Sequence, residues 1–172
     1  MESEYLLEIS IADQQLRYST PDACYLYPVS TALNGVGEQE NTGKTPRGWH
    51  RIVARIGEGL PSGSVLVGRR PTGEIYSDAL GRDFPHRDWI LSRILWLQGM
   101  EIGRNRLGSV DSMRRYIYIH GTPDSEPMGK PLSHGCVRMR NADIVALFER
   151  VATNTQVWIQ EHSFSRIPCL QL

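Results

Sequence analysis

Two short stretches decide the reading: Tyr116-Ile117-Tyr118-Ile119-His120-Gly121-Thr122, a hydrophobic β-like run closed by a histidine, and Ser133-His134-Gly135-Cys136-Val137-Arg138-Met139, which brings a cysteine back sixteen positions after that histidine. Sixteen residues is too far for one helical face but natural for a strand end and a loop that doubles back. The pair reads as a cysteine nucleophile with a histidine base. A free thiol, with a pKa of ~8.5, is only a few per cent thiolate at neutral pH. A neighbouring imidazole can take the proton and later return it to a leaving amine.

The residues around the thiol extend this chemistry. Gly135 lacks a Cβ, so its backbone can turn sharply and aim N–H groups at a developing oxyanion, which makes Gly135 and Cys136 the oxyanion-hole candidates. Arg138 would leave the same face of an extended segment as Cys136, where it favours the thiolate or holds a substrate carboxylate through two parallel hydrogen bonds. Ser133 would orient the loop or a substrate carbonyl. His134 is divided between a catalytic contribution and a structural hydrogen bond. The bland competitor for each is packing, since cysteine is among the most buried residue types. Zinc on His120, His134 and Cys136 is the sharper one, but a fourth ligand at Cys-x-x-Cys or His-x-x-x-His spacing is missing, so no metal or other cofactor is expected.

At these residues the chain resembles the L,D-transpeptidase catalytic domain, or YkuD, family, whose hallmark is a histidine followed by Ser/Thr-His-Gly-Cys-apolar-Arg/Asn. A weaker stretch, Ser30-Thr31-Ala32-Leu33-Asn34-Gly35 through Lys44-Thr45-Pro46-Arg47-Gly48-Trp49, is similar to the family's upstream turn segments, and with it the resemblance runs roughly from Tyr5 to Ile159. The resemblance implies Cys136 as nucleophile, His120 as its base, the Gly121 carbonyl as the group that orients the ring, and His134 as a loop-shaping residue.

The chain has 172 residues, with Lys+Arg and Asp+Glu balanced at 19 each. That length suits one domain, residues 1–172, able to bury close to ~70% of the surface of its unfolded chain. A balanced charge gives no reason to expect nucleic acid or an anionic membrane as partner. Arginine far outnumbers lysine, which suits carboxylate-rich ligands but follows equally from genome composition. The amino terminus, Met1-Glu2-Ser3-Glu4-Tyr5-Leu6-Leu7-Glu8, resembles neither a secretory signal nor a membrane span, and three cysteines without framework spacing suit a reducing compartment, so a cytoplasmic location is expected. Cys24 reads as core and Cys169 as incidental.

Along the chain, Leu6 to Ile11 alternates apolar and polar residues and Leu16-Arg17-Tyr18 follows a break, which predicts a hairpin. Ala23 to Val29 and Trp49 to Ile56 read as strands. The segment from Gly57 to Asp88 is rich in Gly, Pro and Arg around one apolar island, Val65-Leu66-Val67. It reads either as a cover over a substrate cleft contributing Arg69, Arg70, Arg82 or His86, or as an ordinary solvated excursion. Trp89 to Leu97 is ambiguous between helix and strand, and a buried strand over Arg93 to Leu97 is preferred; Trp96 lines the site or, more simply, belongs to the core. Asn141 is expected to cap a helix that buries Ile144, Val145, Leu147, Phe148 and Val151. Gln156 to Gln160 returns as a strand. The expected fold is therefore mainly β, a sandwich-like or barrel-like core with one clear helix after the catalytic loop, and the resemblance implies the same.

The resemblance also implies the reaction. Cys136 would attack the carbonyl of the third residue of a murein tetrapeptide stem, D-alanine would leave, and an acyl-enzyme thioester would remain. Water would then release a tripeptide, as in an L,D-carboxypeptidase, whereas a second stem's amine would give a peptidoglycan crosslink. Hydrolysis of muropeptides during cytoplasmic recycling is the expectation, crosslinking the runner-up, and a catalytically silent murein-binding module the alternative of another class. Covalent capture by carbapenems is implied as well.

Overall fold

A computed structural model of the chain describes residues 6–165. The alternation at the amino-terminal end does what its period dictates: β1 (Leu6–Ser10) turns Leu7 and Ile9 inward, and β2 (Gln15–Ser19) returns antiparallel to it with Leu16 and Tyr18 buried. β3 (Cys24–Pro28) pairs with β2. On its other side β1 lies parallel to β10 (Gln156–Gln160), which joins β4 (Gly48–Ile56) and then the ten-residue β7 (Ile90–Gly99).

At β7 the sheet forks. β5 (Ser64–Val67) pairs with Ile90 and Leu91, while β8 (Tyr118–Thr122) pairs with Leu91 and with Ile94 to Trp96. β6 (Arg70–Ile75) closes the first branch as a hairpin with β5, and β9 (Val137–Arg140) closes the second, parallel to β8. All ten strands belong to one curled sheet, as the mainly β expectation required. The parallel pairing forces the chain between β8 and β9 to double back, and that return is the loop carrying Cys136.

Two α-helices and one 3-10 turn, Gly108–Val110, complete the described residues: α1 (Asp78–Asp83), capped by Ser77, and α2 (Asn141–Arg150). α2 packs Ile144, Leu147 and Phe148, all fully buried, against β7, β8 and β9. Phe148 alone contributes roughly 2–3 kcal/mol of burial. No described helix is long and apolar enough to cross a membrane.

Two expectations change on contact with the structure, and a third gains detail. The 57–88 segment, read as a cleft cover or a solvated excursion, carries regular structure: its apolar island is β5, followed by the largely exposed β6 and α1. Asn141 does not cap α2. The cap position is Arg140, whose side chain makes no capping bond, and Asn141 is drawn into the core instead. Its Oδ1 accepts from Ser92 Oγ at 2.5 Å, its Nδ2 donates to the Thr122 carbonyl at 2.9 Å, and its own N–H goes to Asp124 at 3.4 Å. A buried amide that can satisfy β7 and β8 together is worth more there than at a solvated helix end. Finally, Cys24 is disulfide-bonded, which removes the cysteine argument for a reducing compartment. Cys169 lies outside the described residues.

Candidate active site

His120 sits in the middle of β8 and is almost fully buried, paired across the ladder with Arg138 of β9. Its Nδ1 lies 2.7 Å from the Gly121 carbonyl. A carbonyl oxygen only accepts, so Nδ1 carries the hydrogen and Nε2 keeps its lone pair. Gly121 is required by space: a Cβ there would come within 2.4 Å of the Leu91 carbonyl and 2.7 Å of Asn141 Oδ1. The Asn141 bracket thus packs directly behind the residue that sets the imidazole tautomer.

Cys136 directly precedes β9, so the strand pairing carries its sulfur to the β8 backbone. Sγ receives the Tyr118 N–H at 3.3 Å and donates to the Tyr116 carbonyl at 3.3 Å. Tyr116 is held at φ +57°, an uncommon conformation for an aromatic residue, in the residues that lead into β8. In this resting arrangement the thiol hydrogen goes to Tyr116, not to His120. The two side chains nevertheless line one cavity of about 550 Å³, together with Arg69, Asp88, Arg115, Tyr118, Ser133, His134 and Arg138.

Burial decides the charge states. It pushes the Cys136 thiol up to about 12, aided by the Asp88 carboxylate and opposed by the Tyr118 N–H, Arg138 and Arg115. The same burial lowers the His120 pKa, against the pull of its bond to Gly121. At rest the pair is therefore a neutral thiol beside a neutral imidazole, not an ion pair.

The loop carrying Cys136 is held from behind by the upstream segment that the resemblance singled out. Ser30 exchanges backbone hydrogen bonds with Arg138, Ser133 N–H donates to the Thr31 carbonyl and Leu33 N–H to the Ser133 carbonyl. Thr45, fully buried, donates its hydroxyl to the Gly135 carbonyl at 2.9 Å and accepts the Ala32 N–H at 3.0 Å. Gly135 itself is at φ +132°, a conformation that strains any L side chain.

The individual expectations fare unequally. Ser133 shapes the loop: its hydroxyl donates to the Cys136 carbonyl at 2.5 Å and accepts the Gly135 N–H at 3.2 Å. The Gly135 donor is thus occupied at rest, whereas the Cys136 N–H has no protein partner among the described residues. Arg138 reaches the Leu132 carbonyl at 3.3 Å and Asp88 at 3.4 Å, with Glu126 at 3.9 Å. His134 is exposed at the cavity rim, 3.7 Å from Asp88. Of the four residues considered in the 57–88 segment, Arg69 lines the cavity and Arg70, Arg82 and His86 do not. Trp96 stays out of the lining but packs against Tyr116, tilted, and Tyr118, edge-on, which do line it. Asp88 and Arg115 carried no signal in the sequence. Arg115 takes its place only in three dimensions, by holding the carbonyls of Gly37, Glu38 and Lys44 beside the Cys136 loop.

The strand pairing of this β fold brings the histidine of β8 and the cysteine of the loop before β9 to one cavity. The family model of the L,D-transpeptidase catalytic domain (YkuD) matches residues 4–159, and the chain belongs to that family. The probable L,D-transpeptidase ErfK/SrfK of Escherichia coli K12 is 28% identical over 154 residues, 88% of this chain and 42% of that protein. The probable L,D-transpeptidase YbiS of the same strain is 51% identical over 43 residues, 25% of this chain and 14% of that one. The chain therefore spans less than half the length of these curated relatives. L,D-transpeptidase 3 of Mycobacterium tuberculosis, solved with a faropenem-derived adduct, superposes with a TM-score of 0.57 at 14% identity, over 92% of this chain and 60% of that one, and shows the shared fold.

Proposed function

We propose that this chain transfers the acyl group of a murein tetrapeptide stem through a thioester on Cys136. Sγ leaves the Tyr116 carbonyl and attacks the carbonyl carbon of the third stem residue while its proton passes to His120 Nε2. The negative charge that forms on the carbonyl oxygen is met by the unpaired Cys136 N–H, joined by the Gly135 N–H when Ser133 releases it. The intermediate then collapses: the C–N bond breaks, His120 returns the proton to the leaving amine, and D-alanine departs. Because thiol and imidazole are both neutral at rest, proton transfer accompanies the attack rather than preceding it. Gly121, through its carbonyl, keeps Nε2 as the accepting nitrogen throughout.

The observation that carries this reading is that Cys136 and His120 line one cavity, in a chain of this family. The acceptor determines the product. Water gives a tripeptide and an L,D-carboxypeptidase, and the amine of a second stem gives a crosslink, with the same residues serving both. The cysteines give no further support to a cytoplasmic, recycling role. Carbapenems should acylate Cys136 by the same attack: the strained ring C–N bond breaks, and the ring nitrogen takes the proton but stays attached to the acyl group.

Incubation of the protein with a disaccharide-tetrapeptide, with and without an acceptor stem, tests the proposal. Release of D-alanine is expected in both mixtures; a tripeptide product in both marks hydrolysis, and a crosslinked dimer only with acceptor marks transpeptidation. Binding of the tetrapeptide with no release of D-alanine refutes both and leaves the silent murein-binding module.

A further inference from the structure

Three guanidinium groups line the candidate cavity, and they are not equivalent. Arg115 is spent on three backbone carbonyls. Arg138 faces Asp88 and Glu126 and holds the Leu132 carbonyl. Arg69 has no carboxylate within salt-bridge distance among the described residues, and one of its N–H groups donates to Tyr118 Oη at 3.0 Å. It is the cavity's uncommitted cation.

Arg69 is also fixed in place by features that a merely solvated arginine would not need. With Gly68 it forms the two-residue turn between β5 and β6, at φ +53° and +65°. Turns of that kind favour Gly or Asn at both positions, so an arginine there is held against its own backbone preference. Its guanidinium lies 4.6 Å from the Trp96 ring centre and 4.9 Å from that of Tyr116. The two aromatic faces and the tyrosine hydroxyl restrict the side chain and leave the remaining N–H groups available. Tyr118 links it to the chemistry: its hydroxyl meets Arg69 while its N–H meets the Cys136 sulfur.

From this placement we infer that Arg69 receives the free C-terminal carboxylate of the acyl-donor peptide, through charge-assisted hydrogen bonds at the mouth of the cavity. The inference rests on the stem-peptide reading above and makes it more specific. An enzyme that removes one terminal residue must recognise where the chain ends, and a carboxylate just beyond the scissile bond is the feature that marks it. Arg69 would then select peptides ending one residue past the attacked carbonyl and reject those that continue or are amidated.

The test compares the full chain and its Arg69→Gln and Arg69→Lys variants on a tetrapeptide with a free terminal carboxylate and on the same peptide as its C-terminal amide, reading the released terminal residue by mass. The wild type should favour the acid. Arg69→Gln should lose roughly ten- to hundredfold in kcat/KM on the acid and little on the amide, with Arg69→Lys in between. Equal losses on acid and amide would mean that Arg69 only braces the hairpin, and an undiminished preference for the acid would place recognition elsewhere; either overturns the inference while leaving acyl transfer intact. A wild type that releases the terminal residue from neither peptide fails at the earlier step and overturns both together.

Discussion

A buried thiol with its proton on sulfur should be a poor target for a small electrophile, and the size of that effect follows from the site. With the Cys136 pKa pushed up to about 12, the thiolate fraction at pH 8 is roughly one in ten thousand, against about one quarter for an ordinary cysteine of pKa ~8.5. Alkylation follows the thiolate, so iodoacetamide should modify Cys136 on the order of a thousandfold more slowly than it modifies a small free thiol. The assay is quenched alkylation followed by mass analysis of the peptide containing Cys136, from pH 6 to pH 10. The rate should climb about tenfold per pH unit across that range without levelling. Asp88→Asn removes a carboxylate that favours the protonated sulfur and should speed modification by roughly two- to fivefold, a modest change because Asp88 is half exposed. His120→Ala should leave the alkylation rate almost unchanged while lowering turnover by roughly 10²–10⁴-fold. A rate within tenfold of the free thiol, or a plateau near neutral pH that vanishes in His120→Ala, would mean a preformed thiolate–imidazolium pair and would refute the neutral resting state.

Two further outcomes test the scaffold. Asn141→Ala removes hydrogen bonds to Ser92 and Thr122 inside the core, and should cost about 2–4 kcal/mol in urea unfolding, above the ~1 kcal/mol of a lost helix cap; a loss at or below the cap value would restore the capping role. His50 is buried and neutral, bonded to Gly48 and Ser112, and burial lowers its pKa to about 4. The unfolded imidazole, at ~6.5, takes its proton first as pH falls, so the His50 contribution is complete above pH ~6.5 and is lost on the way down to about pH 4, roughly 3 kcal/mol in all. Unfolding free energies of wild type and His50→Gln across that window should show a flatter acid slope in the variant, and parallel slopes would contradict the assignment.

The parts of this fold that were legible in the sequence are those where one face of an element meets water. β1 and β10 alternate, and α2 shows its apolar stripe. β7 was ambiguous because it is buried along nearly its whole length, with β4 on one edge and two strands sharing the other, so its period vanished. The site divides in the same way. His120, Gly121, Ser133, Gly135, Cys136 and Arg138 are contiguous enough to form a motif, and the strand pairing brings them together. Asp88 enters the cavity from the segment ahead of β7 and Arg115 from just before Tyr116, both outside the motif, and only the folded sheet gives them a common neighbour. Asn141 misled because a polar residue at a helix start has the same sequence signature whether it caps the helix or turns inward.

Everything functional proposed here depends on sulfur 136 becoming acylated with help from the residue 120 imidazole. Rapid mixing of the intact protein with a murein tetrapeptide, followed by acid quench and whole-protein mass, measures that event directly. The predicted result is a mass gain equal to the acyl tripeptide, localised to Cys136, absent in Cys136→Ala and strongly slowed in His120→Ala. D-alanine release that persists in Cys136→Ala, or an adduct on another residue, would contradict it.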